Sequence, residues 1–140
     1  METCASYKNM ITDEIDYVES MMNKAPDIDK KLYFFSAIPG TLSRIFNFEY
    51  DSELVFMQVI LQHTHAAFMQ RLQAVKSGDG TVPLLEEQIE QLILNIKALS
   101  EKIKANENFE DILKKFVILT YSTTGNGYYL LRKGLLKIKE

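Results

Sequence analysis

Between Leu85 and Ile103 the chain carries an unbroken apolar heptad of Leu85, Ile89, Leu92, Ile96, Leu99 and Ile103, in alternating steps of four and three. The isoleucines hold one heptad position and the leucines the other. On an α-helix this spacing keeps one seam toward a partner helix, and Ile with Leu in these places suits a two-helix contact. The dominant physics is therefore helix packed on helix. The seam is a candidate interface, but its pattern leaves open whether the partner helix belongs to the same chain or to another subunit.

The rest of the chain agrees with a helical reading. At 140 residues it suits one domain, 1–140, of a size that buries a sizeable core. Pro and Gly number only three and six and cluster between the periodic stretches, as both are costly inside helices. The net charge of −3 lacks the basic excess that phosphate contacts usually bring, so nucleic-acid binding is a minority reading. The charge is nonetheless uneven. Residues 1–29 hold seven acids against Lys8 and Lys24, whereas residues 114–140 hold Lys114, Lys115, Arg132, Lys133, Lys137 and Lys139 against Glu140. Such ends pair within a molecule or between subunits, or form two solvated faces. The single cysteine, Cys4, excludes an intramolecular disulfide and a cysteine zinc cluster, and fits a reducing compartment. There is no signal-peptide pattern, and no apolar run approaches a membrane span. A cytoplasmic protein without a membrane partner is expected.

Periodicity predicts a helix over 7–24, with Ile11, Ile15, Val18 and Met22 as its buried stripe and Pro26 as its stop. A short apolar helix over 29–38 follows, then a turn at Pro39-Gly40. A third piece over 42–48, capped by Thr41, would plug one end of the core. The long middle helix, 52–76, has Asp51 as N-cap. Its first half is apolar on nearly every side, which predicts burial on more than one face. One stripe is Leu54, Met57, Leu61, His65, Phe68, Leu72 and Val75; the other is Val55, Phe56, Val59, Ile60, Ala66 and Ala67. Thr81 and Pro83 open the heptad helix, which runs to about Lys104. Asn108 caps the next helix, with Phe109, Ile112, Leu113, Phe116, Val117 and Leu119 buried. Gly125-Asn126-Gly127 breaks it, and a last helix over 128–139 carries Tyr128, Leu131, Leu135 and Ile138. The expected fold class is all-α, an antiparallel four-helix bundle with two short additional helices.

Little in this pattern carries chemistry. His63 and His65 are the only histidines. Two residues apart they cannot share a helix face, and no ligand stands three or four residues away, so no metal is expected. Segment 122–127 precedes a helix whose start could hold an anion, with Arg132 and Lys133 a turn later, but the phosphate-loop spacing is absent. A helix–helix turn is the plainer reading. No nucleophile signature links the Ser, His and acidic residues. The aromatic set Tyr33, Phe34, Phe35, Phe46, Phe48 and Tyr50 could line an apolar pocket at a bundle end, or simply fill core.

The layout resembles an uncharacterised archaeal family, a domain of unknown function. Its members look like six helices, four of them long and arranged as a left-handed antiparallel bundle. The matching elements are the short aromatic pair around Phe34-Phe35-Ser36-Ala37-Ile38-Pro39-Gly40 and the long helices on either side. The family has no assigned activity, so the resemblance implies a fold and no reaction.

Two functions from different classes follow as expectations. The first is a non-enzymatic interaction or scaffold protein that self-associates, as a homodimer or with another protein, and uses no cofactor. The second is a small-molecule binder or enzyme with an apolar pocket between helices, for which His65, Tyr33, Tyr121, Tyr128 and Arg132 are the candidate residues. A weaker alternative is anion or nucleic-acid contact through Lys114, Lys115, Arg132, Lys133, Lys137 and Lys139.

Overall fold

The computed structural model of the chain describes residues 7–48 and 50–123. These form six helices and no strand among the described residues: α1 Lys8–Lys24, α2 Ile28–Phe35, α3 Ala37–Phe46, α4 Ser52–Lys76, α5 Val82–Lys104 and α6 Glu110–Thr123. The protein is all-α. The predicted helix over 128–139 lies outside the described residues.

Local chemistry sets most of the ends. Asp27, Asp51 and Thr81 each have extended backbone and accept a hydrogen bond from the amide three residues on, at Lys30, Leu54 and Leu84, which satisfies one orphan N–H of the first turn. Helix α4 closes on Gly78 at φ +91°, and α5 on Asn106 at φ +55°. In both, the next two amides fold back onto the last turn: Gly78 N–H to Val75 O and Asp79 N–H to Ala74 O, then Asn106 N–H to Ile103 O and Glu107 N–H to Lys102 O. A left-handed residue at this place is what lets the orphan carbonyls be met.

The short aromatic region departs from expectation. Pro39-Gly40 is no turn but lies inside α3. Proline is tolerated in a first helical turn, where its missing N–H has no partner to lose. Ser36 alone separates α2 from α3, and its backbone stays helical at φ −60°, ψ −20°. The hydrogen-bond ladder continues on either side, Ser36 N–H to Leu32 O and Gly40 N–H to Ser36 O. The two short helices follow one another as a nearly continuous rod, broken only at Ser36. They do not plug a core end: Asp29 pairs with Lys76 near one end of α4, and Ser43 meets Gln58 nearer the other, so the rod runs antiparallel to α4.

The helices close a circuit. Helix α1 packs on α5, α5 on α6, α6 on α4, and α4 on the α2–α3 rod, which returns to α1. Lys8 reaches the Lys104 carbonyl and Ser100 reaches Asp16, so α1 and α5 are antiparallel. Helices α4 and α6 are parallel, since Thr64 meets Thr120 while Glu53 and Phe56 lie beside Phe109 and Glu110. Ile15, Met22, Phe35, Leu42, Met57, Phe68, Leu92, Ile96 and Phe116 fill the interior with essentially no exposed surface. All six heptad residues, Leu85, Ile89, Leu92, Ile96, Leu99 and Ile103, are buried at 0–2% exposure inside this single chain, against α1 and α6.

Candidate functional site

The middle helix does not bury both of its apolar stripes. Leu54, Met57, Leu61, Phe68 and Leu72 go into the core. Phe56 and Val59, from the other stripe, stay 66% and 55% exposed. They stand beside α6, and an open groove of about 680 Å³ is left between the two helices. Phe56 and Ile60 form one wall and Phe109, Leu113 and Val117 the other. A shallower cleft of about 200 Å³ shares Ile60 and Val117 with it and extends past Val59 and His63 to Tyr121. The two make one apolar channel along both helices. Its floor is stapled by a buried relay in which the Thr120 hydroxyl donates to the Thr64 hydroxyl at 2.9 Å and Thr64 donates to the Ile60 carbonyl at 2.8 Å.

The lower mouth of the channel is acidic. Glu53, Glu107 and Glu110 border it, with Lys114 the one base. Lys114 lies 4.0 Å from Glu110 and Lys102 3.5 Å from Glu107. Both pairs are exposed, where such contacts are screened and weak, so the mouth keeps a negative field.

The residues expected to surround a ligand do not come together. Tyr33 is 68% exposed on α2, with its ring edge-on to Phe34 at 5.7 Å and the Lys30 ammonium 5.9 Å from its centroid. His65 is half-buried on the side of α4 that meets α2, stacked on Phe35 with ring centroids 6.1 Å apart. Burial pushes its imidazole below the ordinary 6.5, against the opposing pull of a hydrogen bond to the Leu32 backbone. Tyr121 lies across α4, on the channel. Tyr128 and Arg132 lie outside the described residues, as do Cys4, Lys133, Lys137, Lys139 and the side chain of Phe46. Phe48 and Tyr50 project 79% exposed rather than closing a pocket. His63 is exposed at the edge of the shallow cleft. Among the described residues no three His, Cys, Asp or Glu side chains gather closely enough to hold a metal ion, and no helix is long and apolar enough to cross a membrane.

A polar cluster pins α1 to α5 at the opposite side. Ser100 donates to Asp16 at 2.6 Å, the Lys104 ammonium bonds the same carboxylate, and Lys8 reaches Asn106 at 3.0 Å. Burial raises the Asp16 carboxyl, but the bonds from Lys104 and Ser100 outweigh it and hold the group below the usual carboxylate range. Every member of the cluster is satisfied by another, which makes it a clamp between two helices.

The channel-lining Phe56, Val59, Ile60 and Val117 read as core in the sequence. The signal that sets Phe56 and Val59 apart is the surplus of apolar residues around the first half of α4, more than one interior can take.

Comparison of the chain with family models, with curated proteins and with solved structures gives no match in any of the three.

Proposed function

We propose that the protein is a non-enzymatic interaction module of the helical-bundle type, and that it works through the α4–α6 channel. In this view α1, α4, α5 and α6 are the four long members of the bundle, and the α2–α3 rod is the pair of short additional helices. The observation that carries the proposal is the exposure of Phe56 and Val59 on a helix whose other stripe is core. Large apolar side chains left in a row along an open groove fit the apolar face of an amphipathic helix, whose anchors repeat every three or four residues. A second copy of the chain supplies such a helix, so self-association uses this channel rather than the heptad seam. The single cysteine suits the reducing, cytoplasmic setting we assign to the module.

Small-molecule binding is the second reading. It is favoured by the volume of the groove, about 680 Å³, which falls in the range of ligand sites. The residues expected to orient a ligand do not serve it, since Tyr33 and His65 stand away from the groove, and its polar groups, Glu53, Glu107, Glu110 and Lys114, gather at one mouth.

Sedimentation of the full chain from low micromolar to near-millimolar concentration tests the proposal. Self-association is expected, and Phe56→Asp, at an exposed position, abolishes it with helix content and thermal midpoint retained. A wild-type chain monomeric over the whole range, or a variant that associates as tightly as wild type, overturns it.

A further inference from the structure

We propose that two copies join across their channels as a two-fold pair, α4 against α4 in the antiparallel direction, with Glu53 of each copy meeting Arg71 of the other. The inference rests on the channel being the surface of self-association and fixes the orientation in which it is used. Three features agree.

The first is the placement of charge along α4. Between Glu53 and Arg71 the helix holds no Asp, Glu, Lys or Arg, so an acid and a base bracket an uncharged stretch. They stand 18 residues apart, which is five whole turns, so both lie on one side of the helix about 27 Å from each other. Glu53 borders the groove, which puts Arg71 in line with it at the other end, where the guanidinium rests against Gly80. Among the described residues neither group has an ion-pair partner. A helix with this pattern is complementary to its own reverse. Turned about a two-fold near Gln62 and His63, each copy sets Arg71 over the other's Glu53 and receives the same in return. A two-fold interface is isologous, so one favourable pair is always two.

The second is the acidic mouth. Glu107 and Glu110 stand there with Glu53, against Lys114. A parallel pair would face these acids with their own copies, and like charges brought together across an interface oppose it. The antiparallel pair holds the two mouths at opposite ends and offers each of them an arginine.

The third is the face between the charges. Beyond the exposed Phe56 and Val59, the outer side of α4 continues through exposed His63, Ala66 and Gln70. In the two-fold pair Phe56 comes level with Ala66 and Gln70 of the second copy, and the small alanine leaves room for its ring.

Sedimentation of the full chain, read as the dissociation constant of the pair, tests this. Glu53→Lys and Arg71→Glu each turn two attractions into two repulsions and raise the constant about tenfold. Net charge alone predicts otherwise for Glu53→Lys, which brings the chain from −3 toward zero. The double variant, Glu53→Lys with Arg71→Glu, returns to within about threefold of wild type, as does an equimolar mixture of the two single variants. Arg71→Gln, with a rise of about threefold, serves in place of Arg71→Glu should that variant lose helix content. Single variants that associate like wild type, or a double variant as weak as the singles, overturn the proposal. The outcomes separate the two claims. Charge variants without effect, with Phe56→Asp still abolishing association, leave the channel as interface and remove the antiparallel pairing. Charge variants that behave as expected, with Phe56→Asp leaving association untouched, keep the pairing of α4 and remove the apolar channel as its basis. A wild-type chain monomeric throughout removes both.

Discussion

Replacing Leu92 by alanine measures whether the heptad seam belongs to one chain. Leu92 lies in the middle of α5 at 0% exposure, on the helix that packs between α1 and α6. The change deletes about three methylene equivalents, each worth about 0.8 kcal/mol of transfer free energy, or about 2.4 kcal/mol. The close-packed surroundings relax only in part, and the residual void brings the expected loss to about 3–5 kcal/mol. For a domain of this size that lowers the thermal midpoint by roughly 10–15 °C. Leu94 is an internal control two residues away, 57% exposed on the same helix, and its replacement by alanine should change stability by less than about 0.5 kcal/mol. Urea titration followed by circular dichroism reads both, at two protein concentrations a factor of about 100 apart. The loss at Leu92 should be independent of concentration, because a seam closed within the chain has no bimolecular term. Equal effects at the two leucines would refute the packing reasoning. A loss that shrinks as protein concentration rises would mean the seam meets another chain.

Two further outcomes follow from buried polar groups. Thr64→Val strips Thr120 of its acceptor and should cost about 1–3 kcal/mol, whereas Thr64→Val with Thr120→Val, leaving no unmet hydroxyl in the pair, should recover much of that; additive losses on denaturant titration would refute the relay. His65 titrates below the ordinary 6.5 because burial disfavours its charged form. Its contribution is therefore fully present above that value and is lost as pH falls below it, since the unfolded chain takes the proton first. Thermal midpoints measured at pH 7.5 and 5 should differ more for wild type than for His65→Gln, and an unchanged difference would remove the assignment.

How the sequence relates to the structure differs from element to element. Helix α4 spans the residues that its pattern and its Asp51 cap predicted, because a 25-residue helix with a capping aspartate is determined by its own neighbours in the chain. The proline at 39 misled for a physical reason. Its effect depends on how far into a helix it falls, and only the start at Ala37 makes it harmless. Phe56, Val59 and Val117 read as interior, since residue type reports a preference for burial and not whether a partner surface is within reach. His65 and Tyr121 read as convergent candidates, but His65 sits on the side of α4 that meets α2, whereas Tyr121 stands on α6 at the channel.

The chain's own pattern determined the long helices α1, α4 and α5, the caps at Asp51 and Thr81 and the seam of Leu and Ile, because these depend on spacings of three and four residues and on groups one turn apart. Only the tertiary structure decided that the short pair forms one nearly continuous rod, that α4 and α6 run parallel, and that an apolar channel stays open between them. Those outcomes depend on which surfaces meet after distant residues come together. Local periodicity specifies a sticky face, and the geometry of the closed circuit decides whether it is covered.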